Sequence, residues 1–338
     1  MKLTIFFELK NLQMKLDLND EKIFIAGSTG MVGSSIKRLL KNKLNNLTQN
    51  ILTPSREELD LTNIEEVKLW FKKNKPTVVI LAAAKVGGIY ANKKKPADFL
   101  IENLNIQTNV IQTAYQFGAK RLLFLGSSCI YPKFANQPIK EEYLLTGQLE
   151  ETNESYAIAK IAGIKLCESL RIQFGFDAIA LMPTNLYGPN DNYDRLNSHV
   201  MAAMIRRFKE AKFNKKKIVN CWGSGAPLRE FMHVDDLADA VVFCLENWFP
   251  NQSNAPVDSR GKPLMYLNVG TGKDISIKEL ATKVAKFMEY RGKIFWDKTK
   301  PDGTPKKQLD INAILSLGWK PKISLDEGIK KTILEINF

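Results

Sequence analysis

The sequence predicts an α/β fold centred on a doubly wound parallel sheet, with a smaller C-terminal α/β unit after it. Two observations carry this prediction. Apolar runs of strand length recur between residues 23 and 182, and segments of helical periodicity separate them. After residue 189 the alternation loosens, and loops rich in glycine and proline interrupt it. Strands that alternate with helices pair in parallel and carry helices on both faces.

The elements of the first unit follow from these patterns. Apolar runs predict strands over Asn50–Thr53 and over Ile23–Ala26, Val78–Ala83, Leu122–Leu125 and Ala178–Met182. Apolar residues at helical spacing predict helices over Asn103–Phe117 and Tyr156–Phe174. Because connections of this length join the strands, neighbouring strands run in the same direction.

The second half of the chain holds less regular elements. Its patterns predict helices over Ser198–Ala211 and Ser276–Met288, a helix that starts at His233 and runs to Asn247, a loop over Trp222–Arg229, and a short strand that ends at Asn268-Val269. His233 precedes two aspartates at that helix start, so we expect a structural role for it.

These elements divide the chain into two predicted domains. The first domain covers residues 20–186, and the chain returns to it around residues 231–272. The second covers residues 187–230 and 273–338. Residues 1–19 form a predicted N-terminal extension, in which Met1–Gln13 contributes little to the core and Met14 is an alternative initiator.

Composition narrows the class of protein. The 338 residues carry 49 Lys and Arg against 36 Asp and Glu, a net charge of +13. The lysines are spread along the chain without an interleaved aromatic platform, so we expect no nucleic-acid partner. No apolar stretch approaches membrane-spanning length, so we expect no membrane partner. Four cysteines, widely separated and without metal-ligand spacing, indicate a reduced cytoplasmic protein with no bound metal.

A glycine-rich turn follows the first predicted strand and opens a helix. Its G-x-x-G-x-x-G spacing comprises Gly27, Ser28, Thr29, Gly30, Met31, Val32 and Gly33. Glycines allow the backbone to approach a pyrophosphate closely, and the helix N-terminus offers N–H donors and a positive dipole end. The turn therefore predicts a dinucleotide site in a Rossmann-like sheet.

A tyrosine and a lysine lie four residues apart at the start of another helix. Tyr156 and Lys160 project from one helical face, so an ammonium near the phenol is expected to lower its pKa from about 10. Such a phenol can exchange a proton during carbonyl reduction by a nicotinamide. Ser127 follows the predicted strand Leu122–Leu125, at the sheet edge where open parallel sheets bind ligands.

The order of these motifs resembles the extended short-chain dehydrogenase/reductase superfamily. More specific segments resemble the GDP-L-fucose synthases within it, over nearly the whole chain from Glu21: Ala82–Ile89, Gly126–Lys133, Pro183–Pro189, Trp222–Gly225 and Lys300–Pro305. The resemblance implies 3,5-epimerisation of GDP-4-keto-6-deoxy-D-mannose, followed by NADPH-dependent reduction of the 4-keto group. It also implies a homodimer that pairs through the helices Asn103–Phe117 and Tyr156–Phe174.

The resemblance assigns roles to five residues. Cys129 and His199 are implied to be the base and the acid that invert carbons 3 and 5. Ser127 and Tyr156 are implied to hydrogen-bond the ketone oxygen, and Lys160 to bind the nicotinamide ribose. Ser128 stays open as an alternative to Ser127.

The cofactor and substrate sites are expected from the same comparison of motifs. Arg56 after the second strand favours NADP over NAD, because a basic residue accommodates the extra phosphate. Thr29 departs from the family, which often has a basic residue there. The resemblance adds the cofactor-binding residues Asp60, Leu61, Pro183, Asn185, Leu186 and His199, and the substrate-binding residues Arg207, Trp222, Arg229 and Asp302.

Two other readings remain open from the sequence. One is a single-step nucleotide-sugar 4-epimerase, which would retain NAD and consume no NADPH. A 4,6-dehydratase is disfavoured, because Ser128-Cys129-Ile130 stands where those relatives carry an acidic pair. The other is a non-catalytic NADP-binding protein, against which the intact Ser127, Tyr156 and Lys160 argue.

Overall fold

A six-stranded parallel sheet forms the centre of the computed structural model, which describes residues 15–195, 197–300 and 302–336. Its strands are β1 (Ile23–Ala26), β2 (Ile51–Leu52), β3 (Val78–Leu81), β4 (Arg121–Leu125), β5 (Ala178–Pro183) and β9 (Tyr266–Val269). Their order is β2-β1-β3-β4-β5-β9, and every neighbouring pair is parallel. The predicted doubly wound parallel sheet is confirmed.

Two groups of helices flank this sheet. The helices of the first part are α1 (Met31–Leu44), α2 (Ile64–Asn74), α3 (Ile89–Lys94), α4 (Pro96–Gln116), α5 (Glu154–Phe174) and α7 (Val234–Asn247). Helix α1 packs against α7, whereas α4 packs against α2 and most extensively against α5. The chain adds β2 on one side of β1 and β3 on the other, and this switch in strand order creates a crevice at the carboxyl ends of β1 and β3.

Smaller sheets make up the rest of the chain. Strands β6 (Asn185–Tyr187), β10 (Asp274–Ser276) and β12 (Lys306–Lys307) all pair with β8 (Leu228–His233), and β7 (Ile218–Trp222) pairs in parallel with β11 (Lys293–Asp297). The helices here are α6 (Val200–Phe213), α8 (Ile277–Phe287), α9 (Asn312–Ser316) and α10 (Leu325–Glu335).

Several element limits differ from the prediction for local reasons. Helix α4 begins at Pro96 rather than Asn103, because proline at the first helical position has the required φ and lacks only an N–H that would be unpaired there. Strand β3 ends at Leu81 rather than Ala83. The expected loop Trp222–Arg229 is shorter, since its first residue ends β7 and its last lies in β8. His233 caps α7 by accepting from Asp235 N, which confirms the predicted helix start.

The buried apolar side chains fall into two clusters. One lies around the parallel sheet, and the other joins α6, β7, α8 and α10. Ile314 and Trp319 belong to the first cluster, although they lie within residues 273–338, which were assigned to the second domain. The division into two domains stays a prediction.

The segment before β1 takes part in the fold where it is described. Leu18 is fully buried in the first cluster, and Asp17 caps the short helical turn around it. The predictions about Met1–Gln13 and Met14 lie outside the described residues. No helix in the described ranges is long and apolar enough to cross a membrane.

Candidate active site

The glycine turn after β1 is built so that only glycine fits at two of its positions. Gly27 has a φ of +85°, and a Cβ atom there would lie 2.7 Å from the Ala83 backbone. A Cβ atom on Gly33 would lie 2.1 Å from the Gly27 carbonyl oxygen. Strand β1, the turn and helix α1 are therefore packed backbone against backbone at the crevice between β1 and β3.

The end of α1 that faces this turn carries unpaired backbone donors. Ser34 N is the first helical amide to reach a carbonyl, that of Gly30 at 2.9 Å, so the amides of the first turn before it have no intrahelical acceptor. The turn has no acidic residue, while Thr29 and Gly30 are exposed and Ser28 is buried. Free N–H groups beside a tight glycine backbone fit a pyrophosphate.

The residues expected around the adenosine half lie after β2. The Arg56 side chain is 79% exposed, and its guanidinium is 3.9 Å from Glu102 Oε1. The Asp60 carboxylate accepts from Thr62 N at 2.9 Å and from Thr62 Oγ1 at 2.8 Å, and these bonds lower the pKa of Asp60. Leu61 is half-buried beside it. Arg56 is thus an accessible cation at the predicted position.

Ser127, Tyr156 and Cys129 meet at the carboxyl end of β4. The Ser127 hydroxyl hydrogen-bonds the Tyr156 phenol and accepts from Cys129 N at 3.2 Å. Ser128 points into the buried interior instead, with 4% of its surface exposed. Of the two serines left open by the sequence, Ser127 is the one next to Tyr156.

The prediction that Lys160 lowers the Tyr156 pKa is wrong in this structure. Burial raises the pKa of Tyr156, the nearby Cys129 raises it further, and the Ser127 hydrogen bond offsets part of this. Lys160 is buried, its Nζ donates to the Leu125 carbonyl at 2.8 Å, and burial lowers its pKa to about 7. Its Nζ is 5.9 Å from the centre of the Tyr156 ring, so its first partner is the strand rather than the phenol.

Cys129 is half-buried, and two N–H donors that no motif in the sequence indicates approach its sulfur. Asn153 Nδ2 is 3.3 Å from Cys129 Sγ, and Lys307 Nζ is 3.7 Å from it. Asn153 directly precedes α5, whereas Lys307 lies on β12, 178 residues from the cysteine. Nothing local in the sequence signals the second contact, because it depends on how β12 pairs with β8.

His199 lies at the start of α6, and its neighbours anchor it to the loop after β3. The Gly88 amide donates to the Asn197 carbonyl at 3.0 Å, and a Cβ atom on Gly88 would lie 3.0 Å from the Ser198 carbonyl. The His199 side chain is exposed, yet enough protein surrounds it to lower the pKa of its imidazole. The His199 imidazole is therefore accessible to solvent and still has enough protein around it to disfavour its charged form.

The carboxyl end of β5 supplies the next predicted group. Pro183 is the buried last residue of β5, and Asn185 and Leu186 begin β6 half-buried. The Asn185 amide donates to the Glu230 carbonyl at 2.8 Å, which ties β6 to β8. These residues extend the same sheet edge that carries Ser127.

The residues expected to bind the nucleotide form two neighbouring groups. Arg207 on α6 has its guanidinium carbon 5.5 Å from the centre of the Trp222 ring, and 59% of Trp222 is exposed. Arg206 is buried and donates to the Tyr193 carbonyl at 2.9 Å, so it is the structural member of the arginine pair. Arg207 and Trp222 therefore offer a cation and a flat apolar surface side by side.

The second group joins this surface to the thiol. Arg229 is half-buried, which lowers the pKa of its guanidinium, while Glu150, Cys129 and Asp302 lie close enough to raise it. Asp302 accepts from Ser224 N at 2.9 Å and from Ser224 Oγ at 2.6 Å, which fixes the loop after Trp222. Arg229 thus lies between the expected nucleotide site and Cys129 and interacts electrostatically with residues of both.

The site holds no evident metal position. Within residues 15–195, 197–300 and 302–336, no group of three or more His, Cys, Asp or Glu side chains is arranged to bind a metal ion.

Comparisons with known proteins agree with this geometry. A model of the NAD dependent epimerase/dehydratase family matches residues 23–255. The chain is 55% identical over 311 residues to GDP-L-fucose synthase 1 of Arabidopsis thaliana, covering 92% of this chain and 91% of that protein. It is 48% identical over 319 residues to GDP-L-fucose synthase of Escherichia coli K12, covering 93% and 96%. The solved GDP-mannoheptose C4 reductase from Campylobacter jejuni with NADP bound is 36% identical, with a TM-score of 0.83 over 94% of this chain and 98% of that one.

Proposed function

This chain belongs to the NAD dependent epimerase/dehydratase family and, within it, to the GDP-L-fucose synthases, and on that premise we propose its reaction. It inverts carbons 3 and 5 of GDP-4-keto-6-deoxy-D-mannose and then reduces the 4-keto group with NADPH to give GDP-L-fucose. The observation that carries this proposal is the position of Cys129, whose backbone amide donates to Ser127 Oγ at 3.2 Å and whose charge helps to raise the pKa of Tyr156. A reductase needs only Ser127 and Tyr156, whereas an epimerase also needs a base beside the same ketone.

The epimerisation uses the acidity that a ketone confers on its neighbouring carbons. The Cys129 thiolate takes the proton from carbon 3 or carbon 5, and the electron pair of that C–H bond moves toward the ketone oxygen. Ser127 and Tyr156 donate hydrogen bonds to that oxygen while it carries the negative charge. The protonated form of His199 then delivers a proton to the same carbon from the opposite side, which inverts the centre and leaves the imidazole neutral.

The reduction uses residues of the cofactor domain. When bound, NADPH supplies the hydride for carbon 4. The first-turn amides of α1 would hold its pyrophosphate, Arg56 its 2′-phosphate, and Lys160 its nicotinamide ribose. Because the raised pKa of Tyr156 keeps the phenol protonated at neutral pH, Tyr156 holds a proton at its hydroxyl for the ketone oxygen.

The nucleotide part of the substrate is assigned to the second predicted domain. Arg207 and Arg229 pair with the diphosphate, because guanidinium groups bind phosphate oxygens in two places at once. Trp222 covers an apolar face of the nucleotide, and Asp302 holds the loop between them through Ser224.

The assembly is proposed to be a cytoplasmic homodimer. Helices α4 and α5 pack together and still expose apolar side chains: Ile101 is 58% exposed, Ile158 45%, Ile172 68% and Phe174 50%. A second copy would cover these side chains through the same helix pair. Light scattering at micromolar concentration tests this directly, and a monomer mass contradicts it; fractionation of the source cells tests the compartment.

The reaction is tested by incubation with GDP-4-keto-6-deoxy-D-mannose and NADPH in deuterated water. We expect loss of NADPH absorbance, deuterium at carbons 3 and 5, and GDP-L-fucose as product. NADPH oxidation without deuterium uptake would indicate a C4 reductase alone. A folded protein that oxidises no NADPH contradicts the proposal: tightly retained NAD would then indicate a 4-epimerase, and binding without turnover a non-catalytic NADP-binding protein.

A further inference from the structure

The Cys129 sulfur is approached by hydrogen-bond donors from two separate segments of the chain. Two N–H donors point at Sγ, Asn153 Nδ2 at 3.3 Å and Lys307 Nζ at 3.7 Å. A neutral thiol is a weak acceptor, whereas a thiolate accepts strongly and is stabilised by a neighbouring cation. The other three cysteines are buried, and burial raises the pKa of each thiol. Of the four cysteines, Cys129 is the one whose sulfur contacts a lysine.

Lys307 has no competing partner in the described ranges. Its half-buried ammonium makes its single hydrogen bond there with Cys129 Sγ and forms no ion pair. The adjacent Lys306 projects from the opposite face of β12 and pairs with Asp274 at 3.2 Å. Two neighbouring lysines thus differ in their partner, one a carboxylate and the other a thiol.

The backbone holds Lys307 in this place from its C-terminal side. Gln308 N donates to Gln137 Oε1 at 2.9 Å, and Leu309 N donates to Glu230 Oε2 at 2.8 Å. Glu230 is fully buried, and β12 pairs with β8 so that Lys307 lies beside Arg229. A side chain fixed at its base in this manner loses less conformational entropy when it contacts the sulfur.

Two other titratable groups face Cys129. Tyr156 approaches from α5, and the raised pKa of its phenol keeps it neutral at neutral pH. Arg229 approaches from β8 but shares its charge with Glu150 and Asp302. Lys307 is therefore the cation in direct contact with the sulfur and without a carboxylate partner.

We propose that Lys307 is a positioning residue that holds Cys129 as the thiolate, with Asn153 orienting the sulfur. This inference rests on the proposed function, in which Cys129 takes one proton at each of two carbons. After the first inversion Cys129 carries a proton and His199 has lost one. The thiol releases its proton to water, His199 takes one up, and the Lys307 ammonium favours return of the thiolate before the second inversion.

The inference is tested without substrate by alkylation of Cys129 with iodoacetamide as a function of pH, followed by peptide mass spectrometry. The variants are Lys307→Met, Lys307→Arg and the matched control Lys306→Met. An opposite charge within 4–6 Å shifts such an equilibrium by about 1 pH unit or more. We therefore expect the alkylation midpoint of Lys307→Met to rise by about 1 unit, and those of Lys307→Arg and Lys306→Met to stay near the parent.

A kinetic measurement separates this role from simple substrate binding. We expect deuterium uptake at carbons 3 and 5 to fall about tenfold in Lys307→Met at neutral pH and to recover as the pH rises. An unchanged alkylation midpoint together with a higher KM for the nucleotide sugar would overturn the inference and make Lys307 a phosphate ligand. Since the alkylation needs no substrate, a parent enzyme without NADPH oxidation would count against the proposed function, and an unshifted midpoint against this inference. If Lys307→Met does not fold, Lys307→Gln supplies a neutral side chain of similar length. The alkylation midpoint of that variant then decides the inference in the same way.

Discussion

The residues proposed for reduction and those proposed for epimerisation are held in different ways. Ser127 directly follows β4, and Tyr156 and Lys160 lie on α5, which is in contact with β4. Lys160 is tied to β4 by the Leu125 carbonyl. Cys129 also follows β4 in the chain. Lys307, which contacts the cysteine, lies on β12, 178 residues away. His199 comes from a third element, as the N-cap residue of α6.

The difference teaches that one half of the site is local and buried, while the other is assembled from elements far apart in the chain. The local half depends on burial of a lysine and a phenol within the sheet and its covering helix. The assembled half depends on loops and on β12, whose position is set by β8. Substitutions should therefore damage the two reactions separately, and the following predictions probe that separation.

The largest effect is expected for Tyr156→Phe. Removal of the phenol hydroxyl takes away the proton donor, so the rate of NADPH oxidation should fall about 10³-fold. Deuterium uptake at carbons 3 and 5 should fall less than about tenfold, because Ser127 still donates to the ketone oxygen. Tyr115→Phe is the control, since that ring stacks on Phe174 outside the site. NADPH oxidation within a few-fold of the parent would contradict the assignment.

A smaller effect, confined to the other reaction, is expected for His199→Gln. Glutamine retains hydrogen bonding but cannot deliver a proton, so deuterium uptake should fall about 10²-fold. The dissociation constant for NADPH, measured by fluorescence, should change only a few-fold. Ser198→Ala tests whether the loop as a whole is responsible. Equal losses in both variants would mean that the loop position matters rather than the imidazole.

The smallest effect is thermodynamic and concerns Lys160. Its folded pKa of about 7 lies below the unfolded value of about 10.4, so the unfolded chain binds more protons between these limits. The free energy of unfolding should therefore rise with pH above 7, by roughly 2 kcal/mol up to pH 9. Lys160→Met should lack this rise in urea titrations at matched pH values. A parallel pH dependence in both proteins would show that Lys160 is not buried as a titrating group.

The sequence predicts the local half of this molecule well. The limits of β1 and the start of α7 follow from a four-residue apolar run and a capping histidine. The glycine turn is local in part, because the positive φ of Gly27 and the contact of Gly33 with the Gly27 carbonyl arise within seven residues. The contact of Gly27 with Ala83, in contrast, comes from the neighbouring strand of the sheet. Family resemblance then places Cys129 at the end of β4 from the adjacent serines.

Other features depend on tertiary contacts that the sequence does not reveal. The pKa of Tyr156 was expected to fall with Lys160 four residues away, but burial and the Leu125 carbonyl decide the outcome. The contact of Lys307 with Cys129 requires the pairing of β12 with β8. A strand of two residues is too short to be predicted from a sequence pattern. Leu18 likewise enters the core from a segment whose neighbours gave no helical or strand pattern.

The separation of the two reactions is tested most directly by one measurement on Cys129→Ser beside Tyr156→Phe. Deuterium uptake at carbons 3 and 5 and NADPH oxidation are followed in the same reaction by NMR and absorbance. We predict that Cys129→Ser loses at least about 10²-fold in deuterium uptake while it binds NADPH like the parent, and that Tyr156→Phe loses mainly NADPH oxidation. Deuterium uptake at the parental rate in Cys129→Ser would contradict the account, because the base would then lie elsewhere.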